Sequence, residues 1–235
     1  MIHRVSLFIL AAIFVACQSK VSQEEQESQA PEAEEVLYDT LKDNVLDDFQ
    51  HLVEDFESPQ RSEWQNPELV IMSFGELDGK TIADIGAGTG YFTFKIAQKG
   101  ATVLAIDIDQ QFLDYIEERK AELDDVISYD QVQTIHSLDD DPLLPQSGVH
   151  GALLVNTYHF LENRVNYMTK IKEGLKEDGT VVIVDYKLGD LPFGPEESFK
   201  VPAEQVKEEL TKAGFSEIEL DKDSLPYQYL ITAKR

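Results

Sequence analysis

Few folds accommodate an apolar strand that carries an acid and runs straight into three alternate glycines, as in Thr81-Ile82-Ala83-Asp84-Ile85-Gly86-Ala87-Gly88-Thr89-Gly90-Tyr91. Glycines at these positions let the backbone turn tightly and approach a ligand with no Cβ in the way, and the helix expected from Tyr91 points its free N–H groups at the same spot. One strand later, Thr102-Val103-Leu104-Ala105-Ile106 ends in Asp107. That is about 20 residues past the turn, where a carboxylate accepts hydrogen bonds from both ribose hydroxyls. Together the two strand-end signals predict a site for an adenosine-containing cofactor.

The glycine spacing narrows the choice. A dinucleotide fingerprint reads G-x-G-x-x-G, whereas here the third glycine falls two positions after the second, and this counts against a nucleotide-dependent oxidoreductase. A phosphate loop needs Gly-Lys-Ser/Thr after its run of four, and that is absent too. Asp84-Ile85-Gly86-Ala87-Gly88-Thr89-Gly90 resembles instead the first motif of class I S-adenosylmethionine-dependent methyltransferases. The resemblance implies S-adenosyl-L-methionine as cofactor. It further implies that Gly86, Ala87, Gly88 and Gly90 lie against the methionine moiety, with Asp84 near its amino group directly or through water. Asp107 takes the ribose, with Ile108 beside it in the cofactor pocket. The resemblance covers roughly residues 64 to 235.

The segments that follow fit the same pattern. Tyr91 to Gln98 reads as a helix stopped by Lys99-Gly100, and Asp109 is placed to cap a helix from Gln110 to Glu122 with Phe112, Leu113, Tyr115 and Ile116 on its apolar face. Val132 to Ile135 is a short third strand. Leu138 to Pro145 resembles the acidic, proline-containing loop that lines the adenine in many of these enzymes, which implies Asp139 as acceptor for the adenine amino group; a solvated acidic loop is the plainer reading. Gly151 to Val155 is apolar throughout, as a central parallel strand requires, and delivers Asn156-Thr157-Tyr158-His159-Phe160 to the carboxyl edge, where open α/β sheets bind ligands. His150 stands where relatives usually carry Asp. A helix from Asn163 to Lys176, ended by Glu177-Asp178-Gly179, leads to a fifth strand, Thr180 to Tyr186. Pro202 opens a helix that runs to Ala213 and stops at Gly214, and Phe215 to Leu220 and Tyr227 to Ala233 close the domain. This alternation predicts an α/β fold, a doubly wound, mostly parallel, seven-stranded Rossmann-like methyltransferase sheet whose last strand is antiparallel.

Four stretches are expected: residues 1–16, 17–35, 36–78 and 79–235. Met1-Ile2-His3-Arg4 is a basic start, Val5 to Ala16 is apolar but too short to span a bilayer, and Phe14-Val15-Ala16-Cys17 resembles the lipobox of bacterial lipoproteins, with Phe14 where leucine is usual. The resemblance implies a signal peptide, lipidation of Cys17, the one cysteine of the chain, and export to the outer membrane or periplasmic side, with Gln18 favouring the former. If the signal is unused, the domain is cytoplasmic. Residues 17–35 read as a disordered acidic tether. In 36–78, Leu37, Leu41, Val45, Phe49, Leu52, Val53 and Phe56 fall near helical spacing and read as a helical lid on the carboxyl edge. Trp64 and Gln65 resemble a segment that precedes the glycine turn in some relatives and are candidates for closing over the cofactor; core packing accounts for a lone tryptophan equally well.

The formal net charge of −25 repels nucleic acid and anionic headgroups. A small-molecule acceptor is expected, with membrane contact only through the lipidated N-terminus, no metal, and a monomer. Methyl transfer to a protonated oxygen or nitrogen needs a base. His159 and Tyr158, just past the fourth strand, are the candidates, with a helix cap or packed wall as the alternative role. Asn156 is placed to bound the cofactor pocket, and Asp185 and Tyr186 to face substrate. The pattern is similar to the broad groups that include quinone-precursor C-methyltransferases and arsenite methyltransferases; the arsenite chemistry uses several cysteines, which this chain lacks. An exported domain is separated from a cofactor made inside the cell, so a lipid-anchored small-ligand-binding module without catalysis stands as the second reading.

Overall fold

Strands buried on both faces need continuous apolar runs, and the two at the centre of the sheet have them. In the computed structural model, Ile82 and Ala83 of β1 (Thr81–Ile85) and Ala152, Leu153 and Leu154 of β4 (Val149–Val155) are all fully buried. The structure describes residues 49–123 and 125–235. They fall into two units, residues 1–51 and 52–235. In the first unit only Phe49, Gln50 and His51 are described, and they are helical. The expected signal peptide, Cys17, the tether and residues 36–48 of the expected lid lie outside the described residues.

In the second unit residues 52–56 are helical, followed by α1 (Arg61–Gln65) and α2 (Pro67–Met72). Asn66, at φ 43°, separates the two and caps the second by accepting the Leu69 N–H at 3.3 Å, with Pro67 at the first helical position. Next come β1, α3 (Tyr91–Ala97), β2 (Thr102–Asp107), α4 (Gln110–Glu122) and β3 (Val132–His136). Then β4, α5 (Arg164–Gly174), β5 (Leu175–Tyr186), α6 (Ala203–Lys212), β6 (Ser216–Asp221) and β7 (Gln228–Lys234) complete the unit.

The strand order is β3-β2-β1-β4-β5-β7-β6. All pairings are parallel except those of β7, which runs antiparallel to both β5 and β6. The expected seven-stranded, doubly wound sheet is therefore the observed one. Alternate residues of each strand feed opposite layers: Ala83, Ile85, Ala152 and Leu154 pack with Met168, Ile171, Val206 and Leu210 on one face. Ile82, Leu153 and Val155 pack with Phe92, Ile96 and Ile116 on the other. The chain winds outward from β1 in one direction and from β4 in the other. The crevice between their carboxyl ends is the topological switch point. Among the described residues no helix is long and apolar enough to cross a membrane.

One boundary moves. The helix expected to reach Lys176 ends at Gly174, and Glu177-Asp178-Gly179 lie inside β5 rather than stopping a helix. The cause is the loop before β4, whose Ser147 and Gly148 N–H groups take the Glu173 and Gly174 carbonyls at 2.9 and 2.8 Å. Gly174 also packs so tightly on Leu144 that a Cβ there would stand 2.6 Å from the leucine Cβ. With its last carbonyls taken, the chain turns into the sheet at Leu175, which pairs with Val149.

Candidate functional site

The glycine turn sits at this switch point and is held from both sides. Gly86 and Ala87 donate their N–H groups to the Ile106 carbonyl at 2.8 and 3.0 Å, and Gly88 donates to Asp107 Oδ2 at 2.8 Å. Gly86, at φ 72°, faces Thr157 after β4 so closely that a Cβ would lie 2.3 Å from its Oγ1. Only glycine permits that approach. Gly90 is left-handed at the start of α3, and Gly88 meets the Phe56 ring from residues 52–56.

Three acids stand at the ends of strands or one residue before them. Asp84 is buried, and its Oδ2 accepts the Thr93 hydroxyl at 2.6 Å. Burial pushes its pKa up to about 6, against the Thr93 hydrogen bond and the Arg61 charge, which pull it down. Asp107 is also raised by burial, opposed by the N–H groups of Asp109, Gly88 and Ile108. Its Oδ1 takes the Asp109 N–H at 3.0 Å, and the Asp109 side chain caps α4 through the Gln111 N–H at 2.9 Å. Asp185, at the end of β5, accepts the N–H groups of His159 and Tyr186 and the His159 Nδ1–H, the last at 2.9 Å from Oδ1. The carboxylate only accepts, so Nδ1 carries a proton toward it and the Nε2 edge of the ring is turned away from Asp185. Among the described residues Nε2 has no hydrogen-bond partner. The ring is backed by Phe160 at 4.1 Å and Tyr186 at 6.1 Å.

Tyr158 does not join this group. A 3₁₀ turn over Tyr158–Phe160 sends it the other way into the core, where it is fully buried and its hydroxyl donates to Glu209 at 2.7 Å. Burial and the Glu209 charge hold the phenol far above its ordinary pKa, so the proposed base role is withdrawn for this residue. Asp185 likewise turns inward onto His159 instead of facing substrate. Asn156 sits at the end of β4 with φ 57°, and its Oδ1 accepts from Gln228 Nε2. Gln228 in turn accepts from Gln65 at 3.0 Å, and Gln65 accepts from Arg61 Nε at 2.6 Å. Gln65 is thus a buried link from the glycine-turn side to β7, while Trp64 packs on Phe193 at 4.5 Å.

Ile108 is 58% exposed, and its carbonyl takes a hydrogen bond from His136 Nε2 at 2.9 Å. Asp139 is exposed at the tip of a turn closed by the Leu138–Asp141 bridge, while its neighbours Asp140 and Asp141 pair with Lys170 at 3.4 and 3.2 Å. Sequence reasoning passed over Arg61 and Gln228. Arg61 lies 4.3 Å over the Tyr91 ring and makes no carboxylate ion pair among the described residues. Burial lowers its pKa against the charges of Tyr91, Tyr186, Asp84 and Glu57. An arginine in a polar segment gave no periodic signal. Two hydroxyls, Thr89 Oγ1 in the turn and Tyr91 OH at the start of α3, are buried without a partner among the described residues.

Residues 83–181 match a family model described as a methyltransferase domain. The cypemycin N-terminal methyltransferase of a Streptomyces species is 39% identical over 54 residues, which cover 23% of this chain and 22% of that protein. The chain thus spans less than a quarter of the curated relatives it matches. A SAM dependent methyltransferase from Aquifex aeolicus superposes with a TM-score of 0.69 at 24% identity, over 77% of this chain and 95% of that one. Phosphoethanolamine N-methyltransferase 2 of Haemonchus contortus, solved in complex with S-adenosyl-L-methionine, gives 0.61 at 16% identity, over 73% and 52%. The fold is that of the Rossmann-like methyltransferases.

The raised Asp84 pKa has a sign that can be tested. An acid whose folded pKa lies above its unfolded value binds more protons when folded, so its contribution falls as pH rises from about 4 to about 6 and stays unfavourable above. Asp84→Asn keeps an acceptor for Thr93 without the buried charge. It is expected to be more stable than the parent at pH 7.5 by up to about 3 kcal/mol, with the difference vanishing below pH 4. Urea midpoints of the two proteins across pH 3.5 to 8 measure this; a variant destabilised at neutral pH would contradict it.

Proposed function

We propose that this chain is an S-adenosylmethionine-dependent methyltransferase acting on the oxygen or nitrogen of a small molecule. The observation that carries the reading is the glycine turn held by Asp107 at the switch point, with the buried, unpartnered hydroxyls of Thr89 in the turn and Tyr91 at the start of the helix that follows it. Buried polar groups are rarely left without partners unless a ligand completes them. The groups present fit the cofactor. Each Asp107 oxygen keeps a lone pair for the ribose hydroxyls beyond its backbone bond, and the exposed apolar side chain of Ile108 and the free carboxylate of Asp139 suit an adenine. Asp84 offers negative charge to the methionine ammonium, and Asn156 bounds the pocket. When bound, the cofactor supplies an activated methyl carbon.

The remaining work is alignment and proton removal. His159 is the base in this reading. Asp185 holds its Nδ1–H and stabilises the imidazolium formed as Nε2 takes the acceptor's proton. The charge of −25 disfavours polyanionic acceptors and favours a neutral or cationic one.

Calorimetric titration with S-adenosylmethionine and S-adenosylhomocysteine, with NAD as control, tests the cofactor. Micromolar binding of the first two, weakened at least about tenfold in Asp107→Ala, is expected. Binding of NAD alone, or of none of the three, rejects the assignment. Once an acceptor is found, His159→Ala is expected to lower kcat by about a hundredfold or more with S-adenosylmethionine affinity unchanged. Unimpaired turnover in that variant would remove His159 from the chemistry. Binding without turnover of any acceptor would leave a ligand-binding module.

We further propose that Cys17 is lipidated and that the domain works at the exported face of a membrane, a reading supported by the residues of the first 17 positions. Cys17→Ser should then abolish incorporation of labelled palmitate and release the protein from the membrane fraction. Equal partitioning of the two proteins into the soluble fraction would refute it.

A further inference from the structure

The opposite, amino-terminal edge of the sheet carries a second cluster of charge that methyl transfer does not use. A cleft of about 430 Å³ opens there, lined among others by Lys80, His150, Lys176, Thr180 and Lys234. Lys80 leans on the Phe74 carbonyl at 3.2 Å, and Lys234 on Thr180 Oγ1 at 2.8 Å. Lys176 Nζ stands 3.0 Å from His150 Nε2. Glu177 and Asp178 line the same cleft, yet among the described residues none of the three lysines makes an ion pair with a carboxylate. In a chain with 45 acidic and 20 basic residues, lysines have carboxylates to choose from. Three lysines against two carboxylates, neither of them ion-paired with a lysine of the cleft, leave an excess of positive charge that favours the entry of an anion.

The histidine shows what is missing. Thr81 donates its N–H to His150 Nδ1 at 2.9 Å, so that nitrogen is an acceptor and the proton of the neutral ring sits on Nε2. Burial and the nearby charges of Lys176 and Lys80 hold the ring below its ordinary pKa and keep it neutral at pH 7. The Nε2–H and the Lys176 ammonium are therefore two donors 3.0 Å apart with no shared acceptor among the described residues. An oxygen anion seated beside the pair, at hydrogen-bond distance from each nitrogen, accepts from both and lies within the field of Lys80.

We propose that this cleft is a binding site for a phosphate group, with His150 Nε2–H and the ammonium groups of Lys176, Lys80 and Lys234 as its donors. The ammonium groups and the Nε2–H suit a tetrahedral oxyanion, and the cleft is roomy enough for one that is free or carried by a small monoester. The proposal does not rest on the methyltransferase reading, because the residues and the sheet edge are different ones.

Titration of the full chain with inorganic phosphate, followed by nitrogen–proton correlation of the histidine rings at constant ionic strength, tests it. The expected result is a saturable shift of the His150 ring, absent with chloride. The apparent Kd should rise about tenfold or more in Lys176→Gln and in Lys234→Gln. Glycerol phosphate run in parallel distinguishes the sources: tighter binding assigns an organic monoester, equal or weaker binding assigns free phosphate. A shift that fails to saturate, that chloride reproduces, or that both lysine variants retain at wild-type strength overturns the proposal. Backbone amide spectra of the variants establish that they are folded, and a His150 ring with a protonated Nδ1 in the free protein would overturn the donor arrangement outright.

Discussion

The carboxylate of Asp107 ties the glycine turn to the second strand, and the geometry of the carboxyl edge depends on that tie. Its two oxygens hold the Gly88 N–H at 2.8 Å and the Asp109 N–H at 3.0 Å. One acid thereby sets where the turn after β1 lies and where the helix after β2 begins, since Asp109, once positioned, caps that helix through Gln111. Taking a carboxylate out of water is costly, and hydrogen bonds to the charged form offset the cost. The turn is positioned by an anion, and its own N–H groups are already in use: Gly86 and Ala87 bond the Ile106 carbonyl.

The same device is repeated across the switch point. Asp185 stands one residue before the end of β5 as Asp107 stands at the end of β2, and it too collects N–H groups, that of His159 from the neighbouring loop and that of Tyr186 next to it. It adds the imidazole Nδ1–H, which is how a loop side chain acquires a defined tautomer and a fixed direction. Between these two anchored loops, Gly86 touches Thr157, and the relay Arg61–Gln65–Gln228–Asn156 links the polypeptide before β1 to β7 and the end of β4. The antiparallel placement of β7 matters here. It brings Gln228, at the start of the strand, level with Tyr186 at the end of β5 and so to the carboxyl edge.

The sheet was legible because burial on both faces forces apolar runs: Val103–Ile106 and Leu153–Val155 are such runs, followed by Asp107 and Asn156, and Ile82–Ile85 is interrupted only by Asp84. Helix α4 was legible to the residue because Asp109 is a capping side chain ahead of an apolar stripe. The end of α5 was not. Its stop comes from a distant loop that takes its carbonyls, while the local signal, Glu177-Asp178-Gly179, lay three residues too late. Tyr158 and His159 illustrate the limit for the site. Adjacent residues past a strand look equivalent in sequence, yet a single 3₁₀ turn sends one to Glu209 and the other to Asp185. Which way each points is decided by partners more than 20 residues away, and neither Glu209 nor Gln228 has a local pattern that announces it.

Charge is distributed so that each end of the sheet asks for a different ligand. At the carboxyl edge, burial raises both Asp84 and Asp107, and Arg61, itself depressed by burial, is the cation whose field reaches Asp84. At neutral pH Asp84 is ionised at a cost that its Thr93 hydrogen bond and Arg61 only partly offset. A ligand that brings an ammonium or sulfonium charge recovers that cost on binding, and one that brings phosphate increases it. At the amino edge the order is reversed: three lysines line a cleft beside a neutral histidine, and one of them, Lys176, stands 3.0 Å from its Nε2. In a chain of net charge −25, the two edges thus differ in sign: buried carboxylates stand at the carboxyl edge and three lysines line the cleft at the amino edge.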